Sequence, residues 1–396
     1  MPAMSIEGPQ FRRPDRVEEA LSFSRAGYIF AAASGMHCAI LQPRTEDVPT
    51  GMSTDQPILT QTLALEAAPS ASTSVLPVSN RIDLPAGVKP LQPDWPNVII
   101  LGFYHLAAIA AFLPIYFSWT GVIVAIITAR LTGLLGINLC YHRLLTHQGF
   151  KCPKWLEHSL AVIAVCCAED TPARWVAVHR RHHHHADAQP DPHSPLVNFF
   201  WGHIGWVLFK NPELSRLGLY DRYAKDILRD RFYVKLERNA MQLQIIAAQW
   251  VLFFVAGFIA GLLTTDTLKD AALFGGSIML WGVAVRTVFV WHQTWSVNSI
   301  THLWGYRNYD TNEDSRNNFF VGYLAHGEGW HNNHHAHPRS ARHGHRWWEF
   351  DTTYMTIRLL EKLGLATDVA VYTPSPIETK TEIKTETKTE IKPQKI

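Results

Sequence analysis

Residues 95–129 read WPNVIILGFYHLAAIAAFLPIYFSWTGVIVAIITA, a stretch of 35 residues without Asp, Glu, Lys or Arg. A membrane-spanning helix needs about 20 apolar residues, so this stretch has the length of two spans. A turn over residues 118–121 would separate a first span at 98–117 from a second at 122–141. The alternative is a pair of buried helices in a large soluble core. Two further apolar segments in the same chain make that alternative the weaker one.

The two further segments lie in the second half of the chain. Residues 239–265 carry no charge and predict a third span at 243–263, and residues 271–292 predict a fourth that Arg286 interrupts. The sequence therefore predicts an all-α integral membrane protein, a four-helix transmembrane bundle. Arg130 and Arg286 are costly in lipid, so each should face the interior of the bundle or reach an interface.

The distribution of Lys and Arg predicts the orientation in the membrane. The segment 142–242 carries 14 of them, the turn 118–121 carries none, and the loop 264–270 carries only Lys269. Basic residues concentrate on the cytoplasmic side. We therefore expect the middle segment and both termini in the cytoplasm, with the two short connections on the opposite side.

The chain divides into a central part that is poor in charged residues and two polar ends. Charged residues make up 18%, below the roughly 25% typical of soluble proteins. We predict a membrane domain at 85–370, a disordered extension at 1–84 and a disordered charged tail at 371–396 that repeats IETK-TEIK-TETK-TEIK. Gly27–Leu41 is a weaker candidate for a signal peptide, and Met52 is an alternative start. The net charge of +2 gives no reason to expect a nucleic-acid partner.

Histidine is the outlier of the composition, with 21 residues, and three clusters of it stand out. They are His142-Arg-Leu-Leu-Thr-His147, His179-Arg-Arg-His182-His183 and His331-Asn-Asn-His334-His335. All three fall in segments that the charge distribution assigns to the cytoplasmic face. Together they predict a helical cytoplasmic cap that binds metal.

The spacing of these clusters has a geometric meaning. On an α-helix, positions i, i+3 and i+4 share a face, so HxxHH presents three imidazoles together, while adjacent histidines point about 100° apart and suit two neighbouring ions. In HxxxxH the rings would lie about 140° apart, which suits one ligand per ion. Eight histidines suit two ions, and neutral imidazole accommodates Fe, Zn, Cu or Ni. A histidine-rich metal-transport loop is the rival interpretation, and His184 and His185, which resemble such a run, are left out of the ligand set.

With these motifs in order, the chain resembles the membrane fatty acyl desaturases of the stearoyl-CoA 9-desaturase type and their bacterial and cyanobacterial acyl-lipid relatives. The resemblance covers about residues 85–370 and rests on motifs beyond the three boxes. These are Trp175-Val-Ala-Val before the second box, Asp191-Pro-His-Ser194, Asn298-Ser-Ile-Thr-His302 and Gly327-Glu-Gly-Trp before the third box.

The resemblance implies a di-iron centre with His302 as a ninth histidine ligand. One iron would take His142, His179, His182 and His334, with Asn298 through water. The other would take His147, His183, His302, His331 and His335. Asp187, Asp191 and Glu328 lie beside the boxes and are candidates to accept imidazole N–H groups, although each could equally be a solvated loop carboxylate.

The resemblance also implies the reaction, the introduction of a cis double bond at the 9 position of a saturated acyl chain of palmitoyl to stearoyl length. Breaking an unactivated C–H bond needs the metal and O2 as co-substrate. Electrons would come from a separate protein such as cytochrome b5, a ferredoxin or a rubredoxin-like carrier. The substrate would be an acyl-CoA or a membrane lipid, with Gly133, Ile126 and Trp175 as candidate contacts. A hydroxylase or ketolase and a membrane metal transporter are the alternatives.

Overall fold

The computed structural model describes residues 81–372. Most of the predicted extension, nearly all of the predicted tail, Gly27–Leu41 and Met52 lie outside the described residues. Within the described range the chain is helical, and its β pairing is limited to isolated bridges such as Pro93 with Phe209. The all-α class predicted from the sequence is thereby confirmed.

Three continuous helices are long and apolar enough to cross a membrane: Trp119–Thr146, Met241–Thr264 and Leu268–His302. The first consists of α2, Trp119–Arg130, and a π-helix, Leu131–Thr146. The last consists of α9, Leu268–Met279, a π-helix, Leu280–Val285, α10, Arg286–Ser299, and a 3₁₀ turn, Ile300–His302. The middle one is α8, Met241–Thr264.

The first predicted span is shorter than expected. Helix α1, Trp95–Ala110, has 16 residues and ends seven residues before the predicted end at residue 117. Pro114 lies in the following segment, and a proline disfavours helical backbone in the residue before it and removes a hydrogen-bond donor. The described residues thus contain three helices of spanning length and one shorter apolar helix, where the sequence predicted four spans.

The remaining helices are short and lie before, between and after the long ones. They are a 3₁₀ turn at Ala86–Val88, α3 Lys154–Val165, α4 Pro172–His185, a π-turn Trp201–Gly205 with α5 Trp206–Leu208, a 3₁₀ turn Pro212–Leu214, α6 Arg216–Tyr223, a 3₁₀ turn Ile227–Arg229, α7 Arg231–Leu236, α11 Phe319–Leu324, α12 His331–Ala336 and α13 Thr352–Lys362. Helices α3 and α4 pack against the π-helix Leu131–Thr146. The largest hydrophobic core surrounds the C-terminal half of that π-helix, where the first histidine box begins.

The two arginines of the apolar segments behave as the cost of charge in lipid predicts. Arg286 is buried, and its guanidinium donates to the Gln249 side chain at 2.6 Å and to the Cys166 carbonyl at 3.0 Å. Arg130 lies at the end of α2 and reaches His326, with 3.3 Å between Nη1 and Nδ1. The outer faces of α1, α2 and α8 instead expose large apolar side chains such as Leu106 and Leu252.

Candidate metal centre

The first histidine box lies on the last turns of the π-helix Leu131–Thr146. The His147 N–H donates to the His142 carbonyl at 3.1 Å, which is the i to i+5 bond that defines a π-helix. Its wider turn brings residues five apart onto one face, and the two ring centroids are 4.7 Å apart. The expectation that these rings lie about 140° apart is therefore wrong, because it assumed an α-helical turn.

The second and third boxes lie on α4 and α12. Pro172 begins α4, where its missing N–H costs nothing, and the helix ends at His185, before Asp187 adopts a positive φ of 56°. In each box the i, i+4 pair points one way and the i+3 histidine points the other. Adjacent histidines are thus separated, as the spacing predicted.

The nine histidines form two clusters in which all candidate ligand atoms lie within 4.8 Å of one another. One cluster holds His142, His147, His179, His183 and His334, and the other holds His182, His302, His331 and His335. This grouping differs from the division that the resemblance implied, because His182 changes places with His147 and His183. The clusters are neighbours, with the rings of His183 and His335 stacked at 4.4 Å.

Carboxylates hold the outer nitrogens of three of these imidazoles. Glu328 lies 2.8 Å from Nδ1 of His142, Asp191 3.0 Å from Nδ1 of His182, and Asp187 2.7 Å from Nδ1 of His302. All three acids that the sequence placed beside the boxes therefore contact a histidine of a box or His302. Because each Nδ1 donates the hydrogen of its bond to a carboxylate, Nε2 is the nitrogen of each ring that is left to bind a metal.

The Nε2 atoms converge. His334 lies 3.1 Å from His142 and 3.0 Å from His183 between Nε2 atoms, and His331 lies 3.1 Å from both His302 and His335. Lone pairs facing one another at this distance repel unless a cation lies between them. Two imidazoles at about 2.1 Å from one ion and at right angles are about 3.0 Å apart. The residues present therefore fit bound metal ions.

Two further nitrogens and the ionisation of the rings support this fit. Nε2 of His147 and Nε2 of His182 are buried and have no hydrogen-bond partner among the described residues. Burial, and then the neighbouring imidazoles, lowers the pKa of His147, His183 and His335 well below the ordinary value. These three rings are consequently neutral at physiological pH, which is the form that binds a metal.

Sequence reasoning missed part of the support around these clusters. Arg143 is buried between Glu328 and Asp351, with contacts of 3.0 and 2.9 Å, and His343 lies 3.0 Å from Glu328. Glu313 lies 3.6 Å from Nδ1 of His335. Arg143 is part of the first box and is recognisable there as a buried cation only once its partners are known. Glu313 carries no motif that would have identified it.

A cavity of about 1030 Å³ leads to the five-histidine cluster. Residues of α1, α4, α8 and α10 contribute to its lining, which includes His179, Trp175 and Asn298. Trp175, a predicted substrate contact, stacks on the His179 ring at 5.0 Å. Asn298 is buried at this wall, and its predicted bond to a metal through water stays a prediction. The volume is at the upper end for ligand cavities in proteins.

The other two predicted substrate contacts lie elsewhere. Ile126 is 59% exposed on the outer face of α2 and does not line this cavity. Gly133 is buried, and a Cβ added there would lie 3.0 Å from Oε1 of Gln293 and 3.5 Å from Val290 on α10. The structure therefore places Gly133 at a helix contact and does not bring either residue to the cavity.

Glu169 is a cavity residue that the sequence did not single out. Its carboxyl accepts hydrogen bonds from the Thr294 hydroxyl at 2.9 Å and from the Trp175 indole N–H at 3.3 Å. Burial raises the pKa of Glu169 to about 8, against the opposing effect of these two bonds. Glu169 follows Ala168 and precedes Asp170, shortly before the start of α4, and it belongs to no recognisable motif in the sequence.

His184 and His185 take no part in the two clusters. His184 is exposed, and its nearest polar contact is Arg222 at 3.5 Å. Their omission from the ligand set agrees with this placement.

Apolar helices of spanning length, two histidine clusters with carboxylate partners and a cavity leading to one of them define a helical membrane metalloprotein. The family model for fatty acid desaturases matches residues 96–366. The chain is 42% identical to an sn-1 stearoyl-lipid 9-desaturase of Anabaena variabilis over 278 residues, 70% of this chain and 94% of that protein. It is 40% identical to an sn-2 palmitoyl-lipid 9-desaturase of Nostoc over 284 residues, 72% of this chain and 92% of that protein.

A third relative is an icosanoyl-CoA 5-desaturase of Limnanthes douglasii, 40% identical over 283 residues, 71% of this chain and 73% of that protein. The chain belongs to the fatty acid desaturase family. It is therefore a metal-dependent desaturase of acyl chains, as the motifs predicted.

Proposed function

We propose that the chain is an O2-dependent acyl-lipid 9-desaturase that forms a cis double bond in a chain of palmitoyl to stearoyl length. Two irons would be held by the nine histidines, one in each cluster, with Asn298 as a ligand through water. The metal pair supplies the oxidation of unactivated C–H bonds with O2, chemistry that no side chain provides. The relatives with 9-desaturase names at 40–42% identity support the position.

The cavity supports the choice of an acyl substrate. Methylenes are chemically alike, so a fixed position along the chain requires that the whole chain be held. Burial in an apolar slot stabilises a chain by about 0.8 kcal/mol per CH2. Trp175, Trp291 and Trp295 line the wall, together with His179. In this arrangement the protein orients two adjacent methylenes and excludes water.

The carrier of the acyl chain is proposed to be a membrane lipid. After Asp191-Pro-His, acyl-CoA enzymes of animals tend to carry basic residues, and here the chain continues Ser194-Pro-Leu-Val. Ser194 is fully buried and donates to Asp187 at 2.7 Å, so this segment braces the metal site and offers no cation to a CoA phosphate. Of the three relatives described above, two have names that specify a lipid and one has a name that specifies CoA.

We further propose that four helices cross the bilayer, with both termini and the histidine-bearing cap in the cytoplasm. A separate one-electron donor, such as cytochrome b5, a ferredoxin or a rubredoxin-like protein, would dock on that cap. His337-Pro338 continues with Arg339-Ser340 and not with the Gly-Gly of a cytochrome b5 signature, which supports a separate donor.

The test is expression in a host that lacks its own 9-desaturase, followed by mass spectrometry of double-bond position in each lipid class. Monounsaturated chains at position 9 should appear in membrane lipids. The His331→Ala variant should give none, and the exposed His184→Ala variant should match wild type. A double bond at another position, or a hydroxy or keto product, would contradict the proposal. Labelled acyl-CoA added to membranes, against labelled lipid, distinguishes the carriers.

A further inference from the structure

One side of the cavity that leads to the five-histidine cluster lies between α1 and α8. Ile99 and Phe103 of α1 and Leu243 of α8 line this cavity, yet they are 65%, 54% and 54% exposed. Ala247, one turn after Leu243, also lines the cavity and is exposed. A side chain that protein encloses keeps little exposed surface. These four residues therefore mark an opening, where the protein does not close the cavity.

Aromatic residues close this opening at its deeper end. The Trp250 indole N–H donates to the Tyr104 hydroxyl at 3.0 Å, and the Trp250 ring lies 5.4 Å from the rings of Tyr104 and Phe103. Tyr104 is buried and lies 5.0 Å from the ring of Trp291 on α10. Tyr104 and Trp250 are each the tenth residue of their helix, about 14 Å from its first residue. The opening thus extends over the first two to three turns of both helices.

The edge of the opening is apolar, and neither α1 nor α8 contains Asp, Glu, Lys or Arg. Such a surface faces the hydrocarbon layer when the helices lie in a membrane. An acyl chain that crosses this edge leaves an apolar bilayer for an apolar cavity, and its methylenes do not meet water. A chain that entered from the aqueous side would first expose its methylenes, at a cost that grows with each CH2. The opening therefore favours a chain that comes from the lipid.

Polar side chains line the cavity at the starts of the same two helices. They include Asp94 and Asn97 at the start of α1, Gln242 at the start of α8, and Lys210 and Asn211 in the segment after α5. The cavity thus has a polar end beside its apolar opening. A bilayer has the same division between the polar head groups and the hydrocarbon core. A head group can therefore stay among these polar residues while one acyl chain bends into the cavity.

Helix α8 is held in the bundle by its second half. A Cβ on Gly257 would lie 2.7 Å from Cβ of Ile278, and a Cβ on Gly261 would lie 2.7 Å from Cα of Ala271. Both partners are on α9, so the two helices pack closely there. In the first half of α8, all of which the structure describes, Gln249 is the one buried residue. The opening thus lies beside the loosely packed half of this helix.

We infer that the acyl chain of a membrane lipid enters the cavity sideways from the bilayer, through the opening between α1 and α8, and that the small side chain of Ala247 keeps this opening passable. The inference rests on the proposed function, in which a membrane lipid is the substrate, and adds the route to it. The acyl chain passes the edge formed by Phe103 and Leu243 and continues to His179. The head group stays at the starts of the two helices.

The first test narrows the opening with one large side chain. Ala247→Trp places an indole at its edge. Ala248→Trp is the matched control, because Ala248 is the next residue of α8, is exposed and does not line the cavity. The substrate is total membrane lipid of the desaturase-deficient host in nanodiscs, and double bonds are counted at any position. We expect Ala247→Trp to lower kcat/KM roughly tenfold with kcat unchanged, and its iron content and thermal stability to match wild type. Wild-type kcat/KM in both variants would overturn the inference.

The second test closes the opening before or after the lipid has entered, and it carries the inference if Ala247→Trp does not fold. In the double variant Ile99→Cys with Ala247→Cys, a bifunctional maleimide links the two edges. Enzyme that is linked before lipid is added should form no product, whereas enzyme that is loaded first and then linked should complete a single turnover and stop. The two single variants, treated in the same way, control for reaction at the native cysteines. Continued turnover of the linked enzyme in both orders would overturn the route.

Failure of the route and failure of the proposed carrier give different results. If an acyl-CoA is the substrate, wild type forms double bonds in added stearoyl-CoA and none in the nanodisc lipid, and the carrier and the route are both wrong. If lipid is the substrate but enters elsewhere, wild type, Ala247→Trp and the linked enzyme all act on the nanodisc lipid, and the route alone is wrong.

Discussion

At the scale of single residues, the carboxyl of Glu169 differs from the acids around the metal. Asp187, Asp191 and Glu328 bond imidazole rings and are ionised, since His302 and Arg143 keep the pKa of Asp187 and of Glu328 below their ordinary values against the effect of burial. Glu169 meets only the neutral Thr294 and Trp175. It is therefore protonated at neutral pH and presents an uncharged surface to the cavity.

We predict that substrate binding weakens above pH 8 because of this residue. Burial raises the pKa of Glu169 to about 8, so the neutral form dominates below that pH and the carboxylate above it. A charge beside acyl methylenes loses its remaining solvation when the chain enters. KM for the acyl substrate should therefore rise from pH 7 to pH 9 in wild type and stay flat in Glu169→Gln, whose amide can keep both hydrogen bonds. A parallel rise in both proteins would show that another group is responsible.

At this scale the sequence identified the histidines of both clusters and little of the cavity. The nine histidines could be selected because their spacing and neighbouring motifs are specific, and their three acidic partners because they adjoin those motifs. Glu313, Arg143 and Glu169 acquire their roles only from contacts across the fold, up to 208 positions along the chain for Arg143 with Asp351. Ile126 was selected by its depth below His142, which gave no information on the face of α2 that it occupies.

At the scale of elements, the histidine boxes divide their ligands by helical geometry. On α4 and α12 the i, i+4 pair enters one cluster and the i+3 histidine enters the other, so each helix serves both clusters. The reciprocal arrangement leaves His179 and His183 in the cluster of His334, and His182 in that of His331. A sequence motif alone does not specify which of the three imidazoles on one helix face belongs to which cluster. The π-helical turn of the first box was likewise invisible, because its residues also fit an α-helix.

Paired substitutions in the second box distinguish this grouping from the one that the resemblance implied. In the structure His179 and His183 share the five-histidine cluster. The double variant His179→Ala with His183→Ala should therefore leave about one iron per chain, because the other cluster stays intact. His179→Ala with His182→Ala should lose both irons. Elemental analysis of the purified proteins measures the result, and His184→Ala with His185→Ala serves as the control. The implied division predicts the reverse order of the two iron contents.

A second element-scale prediction concerns Gly133, where the π-helix Leu131–Thr146 meets α10. A side chain there would contact Oε1 of Gln293 at 3.0 Å from its Cβ, so Gly133→Phe should separate the two helices. We expect lower thermal stability and equal loss of activity on acyl chains of every length. Gly102→Phe is the matched control, because a Cβ at Gly102 meets no atom within 4 Å. A selective shift toward shorter substrates would instead show that Gly133 limits the acyl slot.

At the scale of the whole molecule, contacts locate both ends of the short helix α1. Its start is tied to the segment after the second box, where the Asp94 N–H donates to the Leu208 carbonyl at 2.8 Å and Asn97 donates to the Val207 carbonyl at 3.1 Å. Beyond its end, the Ser118 hydroxyl contacts that of Ser277 on α9 at 2.8 Å. Helix α1 with the segment 111–118 thus runs from the segment after the second box to the level of Ser277, which lies within α9. The apolar composition predicts this run in the sequence, but it does not predict that the part around Pro114 is not helical.

Reporter fusions at three positions distinguish four membrane crossings from three. Lys269 lies inside α9, so a reporter belongs in the loop between Thr264 and Leu268, where we expect an external signal. A reporter placed before Trp95 should read as cytoplasmic if α1 crosses the bilayer, because the chain then returns to the side of the histidine clusters. A reporter in the loop 147–153, directly after the first box, provides the cytoplasmic reference. Opposite signals before Trp95 and after His147 would mean that α1 does not cross, and a cytoplasmic signal between Thr264 and Leu268 would overturn the orientation as a whole.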